Sequence, residues 1–152
     1  MFRGLHEHTI DAKGRMSLPV RFREQLASMG DGTSEDVQFI LTTGIERCLV
    51  LYPVKQWQAL EEKLAGLSQF DPAVVAIRRI YLAGATEVTL DKNGRLLIPP
   101  MLREYAGLCR DVVWAGMGNT VELWGKEQWN LQAEASRSDR QAISASLAGL
   151  GL

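Results

Sequence analysis

The feature that most limits what this chain can fold into is that it repeats itself. Displaced by 80 positions, His8-Thr9-Ile10-Asp11-Ala12-Lys13-Gly14-Arg15-Met16-Ser17-Leu18-Pro19 falls on Val88-Thr89-Leu90-Asp91-Lys92-Asn93-Gly94-Arg95-Leu96-Leu97-Ile98-Pro99. Asp, Gly, Arg and Pro coincide, and Arg23-Glu24 falls on Arg103-Glu104. Later the displacement becomes 72, with Leu51-Tyr52-Pro53 and Trp57 meeting Leu123-Trp124-Gly125 and Trp129. The lost eight positions belong in the polar stretch Gly30-Asp31-Gly32-Thr33-Ser34-Glu35-Asp36, read as a loop insertion in the first copy. Two copies are too few for a solenoid. They predict a pseudo-symmetric unit, built like a homodimer fused into one chain.

Each copy has the same plan. A strand (about 4–10, and 84–90) enters a turn at Gly14 or Gly94. A short second strand follows, its apolar residues alternating as Met16 and Leu18, or Leu96 and Ile98. Pro19 or Pro99 ends that strand and can open a helix, because Pro is tolerated at the first helical position. Phe22, Leu26 and Met29 then share one helical face. Two further strands are predicted at 37–41 and 48–52, with counterparts at 112–116 and 121–124. A helix from Pro53 carries an apolar stripe of Val54, Trp57, Leu60, Leu64 and Leu67. Another, after Pro72, has Val74, Ile77, Ile80 and Tyr81 on its inner side. The Ser- and Ala-rich end is expected to be weakly structured. The fold class is α+β, a mainly β core with flanking helices. The divisions are a first repeat over 1–57, linking helices over 58–83, a second repeat over 84–130 and a tail over 131–152.

Composition narrows the functions. Hydrophobic residues make up 46% of the 152, enough for a real core, and the net charge of −1 is that of an ordinary soluble protein. The N-terminus has no apolar signal region, and nothing approaches the ~20 apolar residues of a membrane span. Cys48 and Cys109 are far apart in no metal or redox spacing, and are read as two plain buried thiols of a cytosolic protein. The near-zero total hides a pattern. Residues 1–24 hold five Lys/Arg against three Asp/Glu, and residues 78–110 six against three, while 25–77 hold three against seven. Both basic segments contain the repeated turn, and local sign is what an anionic partner meets.

The repeated motif is Asp11-Ala12-Lys13-Gly14-Arg15 and Asp91-Lys92-Asn93-Gly94-Arg95. Asp at the start of a tight turn accepts from backbone N–H groups just ahead. Gly supplies positive φ. The Arg then begins the outgoing strand with its forked donor held in a set direction, suited to phosphate or the guanine O6/N7 edge. The bland alternative is that Asp and Arg merely clamp the hairpin. Retention of Asp, Gly and Arg while Lys13 becomes Asn93 and Ser17 becomes Leu97 favours function, although a shared turn alone accounts for Asp and Gly.

Met1-Phe2-Arg3-Gly4, the 11–19 stretch, Arg23-Glu24-Gln25-Leu26, Leu51-Tyr52-Pro53 with Trp57, and 91–103 together resemble the MraZ family over most of the chain up to about residue 130. The resemblance implies two AbrB-like (swapped-hairpin) units per subunit and a ring-shaped homo-oligomer. It also implies a transcriptional regulator that binds short direct repeats in double-stranded promoter DNA, upstream of the division and cell-wall gene cluster and often of its own gene. Asp11, Arg15, Asp91 and Arg95 match the family motif; Lys13 matches it in the first copy, and Asn93 departs from it in the second. On that reading Arg15 and Arg95 enter the major groove while Lys13, Arg3 and Lys92 meet phosphates. Asp11, Gly14, Asp91 and Gly94 form the turns. The protein would work in the cytoplasm, associated with the nucleoid, with no metal, cofactor or membrane.

The competing readings are weaker. Neither copy offers a nucleophile with its base, a carboxylate pair or a phosphate-cradling loop, so an enzyme is not expected. An assembly or adaptor module, its basic turns meeting an acidic protein, is the alternative function. Antitoxins with AbrB-like units usually carry one copy and a long unfolded tail, where this chain has a second folded copy. His6 and His8 form a His-x-His pair lacking a third ligand nearby, explained as alternate residues of an exposed strand. Trp57 and Trp129 fall at the same helix position, as core or interface anchors. Arg78-Arg79 could add phosphate contacts but fit a solvated helix face.

Overall fold

The computed structural model describes residues 1–30 and 38–152. The strands are β1 (Leu5–Thr9), β2 (Arg15–Ser17), β3 (Gln38–Thr43), β4 (Leu49–Pro53), β5 (Thr86–Thr89), β6 (Arg95–Leu97), β7 (Asp111–Gly116) and β8 (Val121–Gly125). The helices are α1 (Val20–Met29), α2 (Val54–Ala65), α3 (Pro72–Tyr81), α4 (Pro100–Ala106), α5 (Lys126–Ser138) and α6 (Arg140–Gly149). The polar stretch at 30–36 in which the insertion was placed falls, except for Gly30, outside the described residues, as does the first residue of the strand expected at 37–41. The other predicted strands are found within a residue or two.

The two copies interlock. Among the described residues the main sheet has the order β1-β7-β8-β4-β3-β5, and β2 pairs with β6 in a separate two-stranded ribbon. Thus β1 of the first copy pairs with β7 of the second, and β5 of the second with β3 of the first. The two β4 and β8 strands meet at the centre, with Val50 opposite Glu122. Each copy therefore completes its sheet with a strand from the other, the arrangement of a swapped dimer inside one chain.

One face of the sheet and the inner side of the ribbon form the main core. Phe2, Phe22, Leu18, Ile98, Leu102, Leu123 and Trp114 are essentially excluded from solvent there. Burying such side chains contributes about 1.5–3 kcal/mol each. The Trp114 indole N–H donates to the Ser17 carbonyl at 3.2 Å, tying the ribbon to β7. On the other face lie α2 and α3, covering β3 and β4, and α5, covering β7 and β8. Trp57 packs edge-on against Tyr52, and Trp129 against Trp124, each pair repeating the other.

Several expectations need correction. Pro19, Pro53 and Pro99 are the caps preceding α1, α2 and α4, so each helix begins one residue later. Their fixed φ suits that position equally, because a cap residue is extended in ψ. The α2 stripe is buried only at Trp57 and Leu64. The tail is not weakly structured: α5 and α6 span it, with the Asp139 carboxylate accepting from Ala142 N–H to start α6. Neither helix has a fully buried residue, which is why apolar periodicity did not announce them. Cys48 is buried but Cys109 is exposed. Burial above all, then Glu122 and Glu46, push the Cys48 thiol up to about 12. Arg78 is no free cation, since its guanidinium donates to the Leu64 carbonyl at 2.8 Å and closes the end of α2. The histidines are the less exposed residues of β1, and His6 packs edge-on against Phe22 at 4.9 Å. No helix among the described residues is long and apolar enough to cross a membrane.

Candidate nucleic-acid interface

Both motif turns are built by one set of bonds. Asp11 Oδ1 accepts from Lys13 N and Arg15 N, each at 2.9 Å, and Gly14 N donates to the Asp11 carbonyl. Asp91 Oδ1 accepts from Asn93 N and Arg95 N at 2.8 and 2.9 Å, and Gly94 N donates to the Asp91 carbonyl. These amides lower both carboxyl groups below their ordinary range, the amide of the motif Arg contributing most in each case. The carboxylates stay charged and hold the turns at any neutral pH.

The glycines are required twice over. Gly14 has φ +85° and Gly94 φ +73°, where a Cβ is disfavoured. They are also the point where the other copy grips the turn. A Cβ on Gly14 would lie 2.7 Å from the Ile98 carbonyl and from Arg103 Nε, and one on Gly94 would strike the Arg23 guanidinium. Across the copies, Ile98 N donates to the Gly14 carbonyl and Leu18 N to that of Gly94. Arg23 donates to the Asn93 carbonyl and Arg103 to that of Ala12. Each α1 or α4 arginine thus holds the opposite copy's turn. The sequence showed them only as a repeated pair, Arg23 with Arg103, with no partner visible.

The ribbon joins the two motifs. Arg15 pairs with Leu97, Met16 with Leu96 and Ser17 with Arg95. Met16 and Leu96 face the core, so Arg15, Leu97 and Arg95 stand exposed on the outer side with Ser17 half-buried among them. Strand rise and spacing place the two arginine Cα atoms roughly 8 Å apart on the diagonal. They share a groove of about 610 Å³ with Asp11, Cys109 and Arg110. Arg110 is a cation the sequence reading did not single out; its only signal was its place in the basic 78–110 segment.

The copies differ at the arginine. Arg15 Nε donates to Asp11 Oδ2 at 2.8 Å, with Arg15 about half exposed. Solvent screens that pair, so it adds little stability, and it occupies Nε, while among the described residues no hydrogen bond takes up the terminal amino groups. Among the described residues the Arg95 side chain has no such tie to Asp91. Lys13 and Lys92 are exposed on the two turns. Arg3 is not brought to them: it lines a recess with Met1, Arg21, Glu24, Gln25 and Ser28, roughly 20 Å along the extended β1.

Comparison with known proteins gives a consistent answer. The family model described as "MraZ protein, putative antitoxin-like" matches twice, over residues 1–80 and 81–149. A protein of Thermomicrobium roseum is 45% identical over 150 residues, 99% of each chain. One of Coxiella burnetii is 46% identical over 134 residues, 88% of this chain and 86% of that one. One of Nitrosospira multiformis is 40% identical over 152 residues, the whole of both. All three are named "Transcriptional regulator MraZ". With a family model covering both copies and relatives of this similarity along its length, the chain belongs to the MraZ family.

Proposed function

We propose that this protein is a non-enzymatic transcriptional regulator that binds double-stranded DNA with the outer face of the β2–β6 ribbon. The observation that carries the reading is the pairing of β2 with β6, which brings Arg15 and Arg95 from turns 80 residues apart to one exposed surface. A two-stranded ribbon is of a size that the major groove admits, and Arg is the commonest reader of guanine there. A diagonal of roughly 8 Å spans two to three base-pair steps of about 3.4 Å. The Arg15 fork, tied to Asp11 through Nε, suits a base edge. Lys13, Lys92 and Arg110 flank the ribbon and suit phosphates, which fix orientation without reading sequence. Arg3 would then contact DNA only if the duplex also passes the far end of β1.

So few cations bind a single short site weakly, because affinity scales with the phosphates neutralised. Several subunits in a ring, on several direct repeats, raise apparent affinity by roughly 10²–10⁴. The target is the promoter of the division and cell-wall gene cluster, including the protein's own gene, within the cytoplasmic nucleoid. The test is a titration of duplexes taken from that upstream region, carrying one repeat, several repeats, or several with five base pairs inserted between them. That insertion is about half a helical turn and leaves every repeat intact. Affinity is expected to rise steeply with repeat number and fall on insertion. Equal binding to all three, and to unrelated DNA, would overturn the reading.

A further inference from the structure

The two copies agree at the motif turns and differ beside them. Displaced by 80 positions, His8 falls on Val88, Ser17 on Leu97, Arg21 on Met101 and Arg3 on Ala83, whereas Asp11, Gly14, Arg15 and Arg23 each fall on their own kind. Four positions that are polar or cationic in the first copy are therefore apolar in the second. They are not scattered in space. The groove holding Arg15, Arg95 and Arg110 is also lined by His8 and Ser17. Those two residues line a second recess of about 470 Å³, with His6, Arg21, Arg23 and Asn93. Arg21 in turn lines a third, of about 430 Å³, with Arg3 and Glu24. The three recesses follow one another back along β1 and across the start of α1, away from the ribbon.

Charge along this course is one-sided. Among the described residues no carboxylate lines the second recess, and in the third Glu24 stands against both Arg3 and Arg21. Asp11 in the groove is already taken by the turn amides and Arg15. The ion pairs among the described residues are Arg15 with Asp11 and Lys126 with Glu7. Arg3 and Arg21, both exposed, thus keep their charge for a partner, while Arg23 is occupied by the Asn93 carbonyl. In the second copy Leu97 and Met101 are exposed at the matching positions and Val88 is buried. The charge of Arg3 and Arg21 has no counterpart there.

A duplex lying on the ribbon meets this course with its backbone. Phosphate contacts fix orientation without reading sequence, and a pseudo-two-fold ribbon offers DNA two nearly equivalent ways to lie. We propose that His8, Arg21 and Arg3 hold backbone phosphates of the duplex beyond one side of the base-read site, a contact made by the first copy alone that sets which way round the ribbon lies. The inference rests on DNA binding by the ribbon. Arg3 stands roughly 20 Å from the turns along β1, so the contact covers about six base-pair steps of about 3.4 Å.

The test is hydroxyl-radical footprinting of the full chain at low salt, on a duplex carrying one upstream repeat with both its flanks, with salt titrations alongside. Protection is expected to reach about six base pairs further on one side than on the other. Arg3→Ala/Arg21→Ala should remove that extension and leave protection over the repeat. It should also flatten the slope of log affinity against log salt by about 0.9 for each phosphate released. Arg3→Lys/Arg21→Lys should restore both, because a phosphate accepts a point charge where a base edge asks for the Arg fork. Both side chains are exposed, so the melting temperature should not move. Equal protection on the two sides, or an unchanged slope in the alanine variant, would overturn the proposal and leave the ribbon standing, provided Arg15→Ala/Arg95→Ala loses binding to the same duplex. If Arg15→Ala/Arg95→Ala binds as the unaltered protein does, the ribbon reading and this proposal fall together.

Discussion

At residue scale the two motif arginines are not equivalent. Arg15 is biased by Asp11 through Nε, so on the proposed function part of its ordering precedes DNA binding. Arg95 must be ordered on binding, at a cost of about 0.5–1.5 kcal/mol for a long side chain. On a single-repeat duplex, Arg15→Ala should weaken binding by roughly 10–100-fold, the value of a good bidentate contact, and Arg95→Ala by less. Fluorescence anisotropy at one salt concentration decides it; the reverse order would show that the Asp11 tie withholds Arg15 instead of pre-ordering it. His8 supplies a stability argument at the same scale. Burial first, then His6, lower its pKa from 6.5. The unfolded chain therefore takes up that proton at a higher pH than the folded one, and stability is lost as pH falls through about 6.5 toward the folded value. Melting temperature should drop between pH 7.5 and 5.5, and His8→Gln should flatten that slope. Parallel slopes in the two proteins would remove His8 from the account. Asp11 and Asp91 act lower, losing their contribution only as pH falls below 3.8 toward their depressed values.

At element scale the ribbon depends on the cross-copy clasp. Gly94→Ala adds strain at positive φ, about 1–2 kcal/mol, and pushes Arg23 off the Asn93 carbonyl. A loss of that size lowers the melting temperature by several degrees. Gly149→Ala, in open space on α6, should lower it not at all. Calorimetry of the two variants checks this, and equal melting temperatures would mean that the turn tolerates a side chain. Much of this was legible from sequence. Alternation at Met16, Leu18, Leu96 and Ile98 gave the ribbon strands their faces, and the repeat gave the pseudo-symmetry. Pairing was not legible from residues, because alternation fixes which side of a strand is buried and not which strand lies beside it. Hence β1 beside β7, and the reach of Arg23 and Arg103 across the copies, emerge only in three dimensions. Arg3 was expected to meet phosphates beside Lys13 and Lys92, and the extended β1 instead sets it beside Arg21 and Glu24. Cys109 looked like a core residue, yet it sits exposed in the groove beside Arg110.

At the scale of the whole molecule, a net charge of −1 is compatible with the proposed DNA recognition because the fold gathers its cations. Interlocking puts both basic turns on one ribbon, and β3, β4, α2 and the start of α3 fall within the acidic 25–77 segment. On the proposed function, one subunit presents a compact reading head and tight binding is a property of the assembly. The central claim is that the outer face of the β2–β6 ribbon is that head. It is tested most directly by the affinity of Arg15→Ala/Arg95→Ala for a duplex of several upstream repeats, at matched salt and with molar mass and melting temperature checked alongside. The prediction is an intact fold and assembly, with affinity reduced by at least about 100-fold, since each subunit on the DNA loses contacts worth about 1–3 kcal/mol apiece. A double variant that binds the repeats as the unaltered protein does would contradict it.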